Sequence, residues 1–476
     1  VALASLKDYG IIGCAGRAAL IDRFGSIDWC CFPSIDSPSH FDSDQDLVGR
    51  FQLRPQGEFH SEQRYLQRTQ VLETLFETPF GRAVLTDWMP FEAHAETAPT
   101  IYRRLEVTQG RVQFMLHCSP RFMDRDGHSS PCEAEFQDGD IVFRGSEEKI
   151  ARLSASIPLQ IASADPNSAP HSSIDRNPSL CRSFFTLDVG QVANFRWCWG
   201  FSRPTNRVQE AQSRPTIEAW QGWAHHCVPE TCPFVGPWHD AVIRSSLILH
   251  LLSQPETGAI ARSIAMARDT RLDGDERCAS IRDGAWAIQA MANLGYHSEC
   301  KTWFRWLSDL LERDGAEGLQ AKYRLDGARD SAGFQLSLYG DVLLAAMEYH
   351  RCFGNLPEDL WPKLSTMADL AGQAWRRPDL GYWSDPGKPK HFVVSKLFAW
   401  VALDRAIQLG AELGHHVPPR WARERGVLHQ TICQQGFDPT LGSFVRSFGD
   451  PSLDSANLLM PILGFLPIDD SRIVGT

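Results

Sequence analysis

Two textures of apolar and polar positions divide the chain. From residue 1 to about 225, short apolar or alternating runs recur, among them Ala18–Ile21, Ala83–Asp87, Thr100–Val107, Val112–His117, Ile141–Arg144, Leu159–Ala162 and Phe195–Trp199. Gly, Pro, Asp and Ser punctuate them, as in Gln137-Asp138-Gly139-Asp140. Period-two alternation broken at this spacing predicts antiparallel strands packed as a β-sandwich. The stretch from Pro166 to Pro178 is rich in turn residues and predicts an exposed loop. From about Pro215 the apolar positions recur at three and four, first in Ile217–Ala224 and then in Trp238–Leu252, Ala285–Leu294, Glu299–Leu311, Phe334–Tyr349, Leu360–Trp375, Val393–Leu409, Trp421–Gln434 and Ser455–Leu463. That spacing predicts amphipathic helices. A β-domain followed by about eight antiparallel helices points to an α/α toroid, whose inner helices bury one face and whose end loops form a pocket. A closed toroid of six helix pairs needs more helices than these, so an incomplete barrel is expected. The predicted organisation is a sandwich domain over 1–214, a helical linker over 215–235 and a truncated helical barrel over 236–476.

The length of 476 residues fits two or three domains. With 43% apolar and 22% charged residues the composition is that of a water-soluble globular protein. A net charge of −11 argues against nucleic acid or an anionic membrane as the main partner. No apolar run reaches the length that spans a bilayer. The first residues, Val1 to Tyr9, lack a basic segment followed by a long apolar one, so no signal peptide is expected. Thirteen cysteines are scattered, only Cys30 and Cys31 being adjacent, with no CxxC pair or Cys/His ligand spacing. Neither a disulfide framework nor a metal site is expected, and reduced thiols in a cytoplasmic protein are the economical reading. Fifteen Trp against eight Tyr suits sugar stacking as well as it suits large cores.

The richest chemistry lies in Leu272-Asp273-Gly274-Asp275-Glu276-Arg277-Cys278-Ala279-Ser280-Ile281-Arg282-Asp283-Gly284, directly before the apolar helical run Ala285–Met291. A charged turn feeding a buried helix presents polar side chains and free backbone N–H groups to an oxygen-rich ligand. It reads equally as an Asp N-cap with a solvated, salt-bridged loop. His239, His250, His297 and His391 read as satisfied or surface histidines, and Trp286, Trp303, Trp306 and Trp400 sit at core spacing.

Ordered blocks along nearly the whole chain resemble glycoside hydrolase family 15, the bacterial glucoamylase and trehalase-like enzymes. In the first half they are Asp8-Tyr9-Gly10-Ile11-Ile12-Gly13, Gly25-Ser26-Ile27-Asp28-Trp29 and Asp36-Ser37-Pro38. In the second they are Arg244-Ser245-Ser246-Leu247, Thr257-Gly258-Ala259-Ile260, Gln335-Leu336 with Tyr339-Gly340, His391-Phe392 through Ser395-Lys396 to Ala406, and Leu453-Asp454-Ser455-Ala456 through Pro467. The resemblance implies an N-terminal antiparallel β-sandwich, an (α/α)6-type barrel and inverting exo-hydrolysis of α-glucosides without an organic cofactor. By the same likeness Arg282-Asp283 falls on the pair that holds the non-reducing glucose, with Asp275 and Arg277 retained nearby. A carboxylate beside a guanidinium suits a polyol, accepting and donating charge-assisted hydrogen bonds. Trp383 falls on a pocket-wall position, while Gly25-Ser26-Ile27-Asp28-Trp29 marks the sandwich and carries no chemistry.

The same comparison exposes departures. Inverting hydrolysis needs two carboxyl groups about 6.5–9.5 Å apart, one protonating the leaving oxygen and one activating water. The family's acid follows a Trp just before the His-Phe helix; here Trp383 is followed by Ser384. A serine hydroxyl is too weak an acid for this role. Asp385 is the adjacent carboxylate, one position along and one methylene shorter, with its backbone restricted by Pro386. It is a weak substitute. The family's base lies in a Gly-Leu-x-x-Glu-type segment beyond the Gly464–Pro467 block, and none stands before Thr476. Between Asp326-Gly327 and Gln335, the family's longer pocket-shaping insertion is also missing. The chain is therefore expected to be an impaired family member, or else a non-catalytic glucoside-binding relative or fragment. Substrate choice and oligomeric state stay open.

Overall fold

In a computed structural model of the chain, the two textures become two units, Val1–Leu252 and Ser253–Thr476. The structure describes residues 6–42, 49–91, 98–123, 129–130, 132–145, 150–161, 180–200, 208, 212–225, 227, 232, 234–264, 277–330, 334–357, 359–383 and 387–476. The loop expected between Pro166 and Pro178 lies outside them.

The first unit is built on antiparallel strands that run in space from Tyr9–Cys14 through Arg17–Asp22, Ser26–Cys31 and Arg50–Pro55 to the long strand Thr100–Ser119. They continue from it through Val192–Trp199, Ile150–Ala155 and Asp140–Arg144 to Glu133–Gln137. The runs Thr100–Val107 and Val112–His117 are thus one strand of 20 residues. Its first half pairs with Gly81–Trp88 and Val192–Trp199, its second with Arg50–Pro55 and Cys181–Asp188. It therefore belongs to both layers of the sandwich. Their inner faces meet in one core that includes Phe51, Leu53, Phe114 and Leu116 from one side and Leu85, Leu105, Phe143 and Trp197 from the other. Each such side chain contributes about 1.5–3 kcal/mol on full burial. Of the predicted run Leu159–Ala162, the described residues 159–161 contribute an isolated bridge, Ile161 to Cys181, and no named strand.

The block Gly25-Ser26-Ile27-Asp28-Trp29 owes its composition to a turn. Asp22 Oδ1 accepts the N–H groups of Phe24 (2.9 Å) and Ser26 (2.8 Å), and Gly25 takes φ +80°, where a Cβ would meet the Leu53 carbonyl at 2.3 Å. Asp28 is then bound by Ser26 Oγ (2.6 Å) and Tyr9 Oη (2.7 Å). All of these contacts hold the sheet together.

Helix α1 (Arg214–Trp223) and helix α2 (His239–Leu252) complete this unit. Trp220 of α1 and Ile243 and Leu247 of α2 share a small core with Cys14 and Ala224. Arg244 anchors α2 to the strands, donating to Gln70 Oε1 and the Thr69 carbonyl, both at 2.7 Å, with its guanidinium 3.8 Å from the Tyr65 ring centroid. The block Arg244–Leu247 thus sits in the first unit.

The second unit is an arc of helices: α3 (Ile281–Asn293), α4 (His297–Asp314), α5 (Ser337–Phe353), α6 (Leu360–Ala374), α7 (Val393–Glu412) and α8 (Pro419–Gln435). Helices α3, α5 and α7 pack side by side as one layer, and α4, α6 and α8 follow one another behind it. Successive helices alternate between layers, as in an α/α toroid. The close approach of α5 to α7 requires Gly340, where a Cβ would lie 2.2 Å from the Phe398 carbonyl oxygen. Almost every residue of α7 from Val393 to Asp404 is buried. The run Ser455–Leu463, read as one helix, is a 3-10 turn (Ser455–Leu458) followed by a short helix, α9 (Leu459–Ile462), with Pro461 inside it. The chain closes with α10 (Ser471–Val474). Among the described residues no helix is long and apolar enough to cross a membrane.

Candidate functional site

The first turn of α3 is organised by Ser280, whose extended backbone and side-chain oxygen, accepting the Asp283 N–H at 3.2 Å, make it the N-cap. The alternative reading of this stretch as an Asp N-cap is therefore corrected: the serine caps, and Asp283 stands at the third helical position. Its carboxylate is free for other partners and favoured by the helix N-terminus. Those partners are two arginines, Arg282 Nε at 3.0 Å and Arg262 Nε at 3.1 Å. The Asp283 and Arg262 side chains keep about a third of their surface open, 34% and 33%, and Arg282 keeps 16%.

Arg282 is the hub. Its guanidinium donates to the Tyr382 carbonyl and lies 4.8 Å from the Tyr382 ring centroid and 5.9 Å from that of Trp383. Tyr382 stacks on Phe398 at 5.0 Å, and its hydroxyl accepts from Trp286 Nε1 at 2.9 Å. Burial works against the Arg282 charge, but Asp283, Tyr382 and Asp341 outweigh it and raise its pKa. Burial likewise lifts the Tyr382 phenol, with Asp341 adding to the effect.

Asp341 is the residue that sequence reasoning missed. It lies fully buried on α5, with the Arg282 charge and the Trp286 indole N–H as its polar neighbours. Burial pushes its pKa well above the carboxylate range, against the pull of Arg282 and with a further push from Asp283. The available signal was a lone acidic residue in the otherwise apolar run Ser337–Met347.

The loop that carries Tyr382 and Trp383 is fixed at its base by Asp379, which exchanges backbone hydrogen bonds with Lys390 (3.0 and 2.9 Å) and accepts the Leu336 N–H at 3.1 Å. Burial raises the Asp379 pKa, opposed by the Leu336 N–H and by Lys396. Burial lowers the Lys396 pKa to about 8, and its ammonium donates to the Arg377 carbonyl at 2.6 Å. Ser395-Lys396 is thus an internal support. Beyond it Trp383 is 55% exposed, with Nε1 donating to Asp454 Oδ1 at 3.0 Å.

Arg282, Asp283 and Trp383 are therefore brought together. Arg277 is buried just before the two-residue strand Ala279–Ser280, which pairs with Lys322–Tyr323. Asp275, Ser384 and Asp385 lie outside the described residues. One turn along α3 from Arg282, Trp286 lines a cavity of about 1060 Å³ shared with Gln289, Trp400, Asp404 and His429. Asp404 there is held by Arg405 and by Arg425 at 2.7 Å.

The histidines have separate fates. His250 stacks on Phe91 at 5.5 Å beside Trp220 and Trp223, and burial lowers its pKa to about 4. His297 is hydrogen-bonded to Tyr349 Oη at 2.7 Å, and His391 stacks on Phe448. His239 joins His225, Cys227 and Cys232 in one group, a convergence to which their spacing along the chain did not point. Trp303 and Trp306 are buried in α4, as their spacing predicted.

Comparison with known proteins follows this geometry. The model of glycosyl hydrolases family 15 matches residues 236–340 and 326–476, and that of the trehalase-like N-terminal domain matches 4–194. A trehalase of Thermoplasma acidophilum is 26% identical over 492 residues, covering 96% of this chain and 81% of the relative. A trehalase of Mycobacterium tuberculosis is 27% identical over 529 residues, covering 99% and 74%. A bacterial glucoamylase crystallised with acarbose shares the fold, with a TM-score of 0.71 at 12% identity over 98% of this chain and 77% of that one.

Proposed function

The chain belongs to glycosyl hydrolase family 15, and from that premise we propose that it holds the terminal glucose of an α-glucoside at Arg282 and Asp283 while its own hydrolytic turnover is impaired. The observation that carries the reading is a contrast along one loop. A guanidinium–carboxylate pair faces the exposed Trp383, yet the next residue, at the family's acid position, is Ser384. Asp283 accepts from sugar hydroxyls, Arg282 and Arg262 donate to others, and the Trp383 indole packs on the C–H face of the ring. Asp275 and Arg277 flank this subsite in sequence. Asp385 is the carboxylate adjacent in sequence but stands a residue away from the acid position, and an offset of about an ångström costs roughly a hundredfold in rate.

In this reading residues 236–476 carry the sugar site, residues 1–214 form the scaffold and 215–235 the link. No cofactor, nucleic acid or membrane enters. Thirteen free thiols support a reducing, cytoplasmic setting. The trehalase names of its relatives make trehalose the first substrate to try, with maltose and maltooligosaccharides beside it.

The test is glucose release from those three substrates by the unmodified chain and by Ser384→Glu. Little or no release by the former, with a measurable rise in the variant, is the expected outcome. Robust turnover by the unmodified chain defeats the impairment. Binding is read separately, as a shift in Trp fluorescence on adding an inhibitor-like aminosugar. Asp283→Ala abolishes that shift if the subsite is correctly assigned.

A further inference from the structure

Between α1 and α2, in the first unit, four side chains with soft and borderline donor atoms converge. His225 follows the end of α1 by two residues, His239 opens α2, and Cys227 and Cys232 stand between them. Their candidate ligand atoms all lie within 4.8 Å of one another. Cys227 Sγ is 3.2 Å from His239 Nε2, and Cys232 Sγ is 3.6 Å from His225 Nε2 and 3.8 Å from His239 Nε2. Zinc bound at about 2.3 Å by sulfur and 2.0–2.1 Å by nitrogen puts tetrahedral ligands roughly 3.3–3.8 Å apart. Of the six edges, two (3.6 and 3.8 Å) fall in that range and a third (3.2 Å) lies just below it.

We propose that His225, Cys227, Cys232 and His239 bind one zinc ion as a structural Cys2His2 clip. Two thiolates and two imidazoles favour zinc over the hard cations magnesium and calcium. Four protein ligands leave no open position, so the ion holds structure and does not activate water. Both histidines turn Nε2 inward, and their ring planes are 61° apart, so their lone pairs converge and the rings do not stack. All four residues are half-buried, which leaves a route for the ion. A disulfide would use only the two sulfurs and would not account for the two imidazoles aimed at the same point.

The clip ties the end of α1 to the first turn of α2. These are the helices that supply Trp220, Ile243 and Leu247 to their shared small core. Zinc binding would then stabilise their junction directly, to the extent that the folded ligand set binds the ion more tightly than the unfolded chain does.

The experiment uses the whole chain, purified under reducing, zinc-replete conditions and freed of loose metal. Elemental analysis is expected to find one zinc per chain, and cobalt exchanged into the protein is expected to show the intense visible bands and thiolate charge transfer of a tetrahedral sulfur-bound ion. Cys232→Ser should bring bound zinc from one toward none, while Asp283→Ala, which leaves the four ligands intact, should retain it. If Cys232→Ser fails to fold, the cobalt spectrum of the unmodified chain decides alone. Sub-stoichiometric zinc together with an octahedral cobalt spectrum overturns the proposal. So does a Cys227–Cys232 disulfide in freshly reduced and purified protein.

Discussion

Each unit contains an arginine–aspartate pair, and the two are built for different ends. In the first unit Arg103 and Asp87 are both fully buried. Arg103 Nε and one terminal nitrogen grip the carboxylate at 2.7 and 3.2 Å, and the remaining donors go to the Phe51 and Gly25 carbonyls at 2.7 and 2.9 Å. The guanidinium also lies 4.7 Å from the Phe51 ring centroid. Neither side chain has any surface open to a ligand. In the second unit Asp283 is shared by two arginines, stays partly open to solvent and acts electrostatically on the buried Asp341. The residue types are the same in both places. What separates a fastener from a binding site is how many donors and acceptors the fold has already used.

The largest effect should come from Asp87→Ala, which strands the Arg103 charge in the core. A cost of about 3–5 kcal/mol is expected, read as a lower urea midpoint or loss of folded protein. Asp283→Ala is the matched experiment. Its stability cost should stay below about 1 kcal/mol, as for other solvent-open pairs, while the aminosugar response disappears. Equal stability losses in the two variants would break the contrast.

Asp22 sharpens it within the first unit. Its carboxyl is held by backbone N–H groups, and burial, with Asp28 adding and Arg50 opposing, raises its pKa to about 7. Between the ordinary carboxylate range and pH 7 the folded chain keeps a proton that the unfolded chain has released. Stability should therefore fall as pH rises through that window, by up to about 1.4 kcal/mol per pH unit. Asp22→Asn should flatten this slope in a series of denaturation curves, and an unchanged slope would assign it to other groups. The smallest change expected is in Tyr382→Phe. It removes the acceptor of the Trp286 indole for about 0.5–1.5 kcal/mol and should weaken aminosugar binding in titrations by loosening the wall behind Arg282.

Much of this was legible in the chain itself. The period-two runs other than Leu159–Ala162 became strands, the three-and-four runs became helices α2 to α8, and Arg282-Asp283 announced itself by position before an apolar helix. Motif comparison also marked Trp383 as a neighbour of that pair, and the structure brings them together. Other features had no such signal. Nothing local separates Ser280 from the acidic residues upstream as the cap of α3, and nothing joins Thr100–Val107 to Val112–His117 except pairing with strands far away in sequence. The Ser455–Leu463 run had a helical pattern, but Pro461 removes a backbone donor and the helix stays short.

What the residues determined by themselves is periodicity, and with it the order of strands and helices, together with the motif blocks that define the family. These are local properties, set by which side chains recur on one face and which backbone conformations each residue tolerates. The state of every polar group was decided only by tertiary structure. Asp341 is a buried carboxyl because α3, α5 and the loop at Tyr382 exclude water around it. His225, Cys227, Cys232 and His239 face one another because α1 and α2 return to the same small core. Charge, protonation and ligation depend on neighbours brought from a distance, and a linear pattern does not contain those distances.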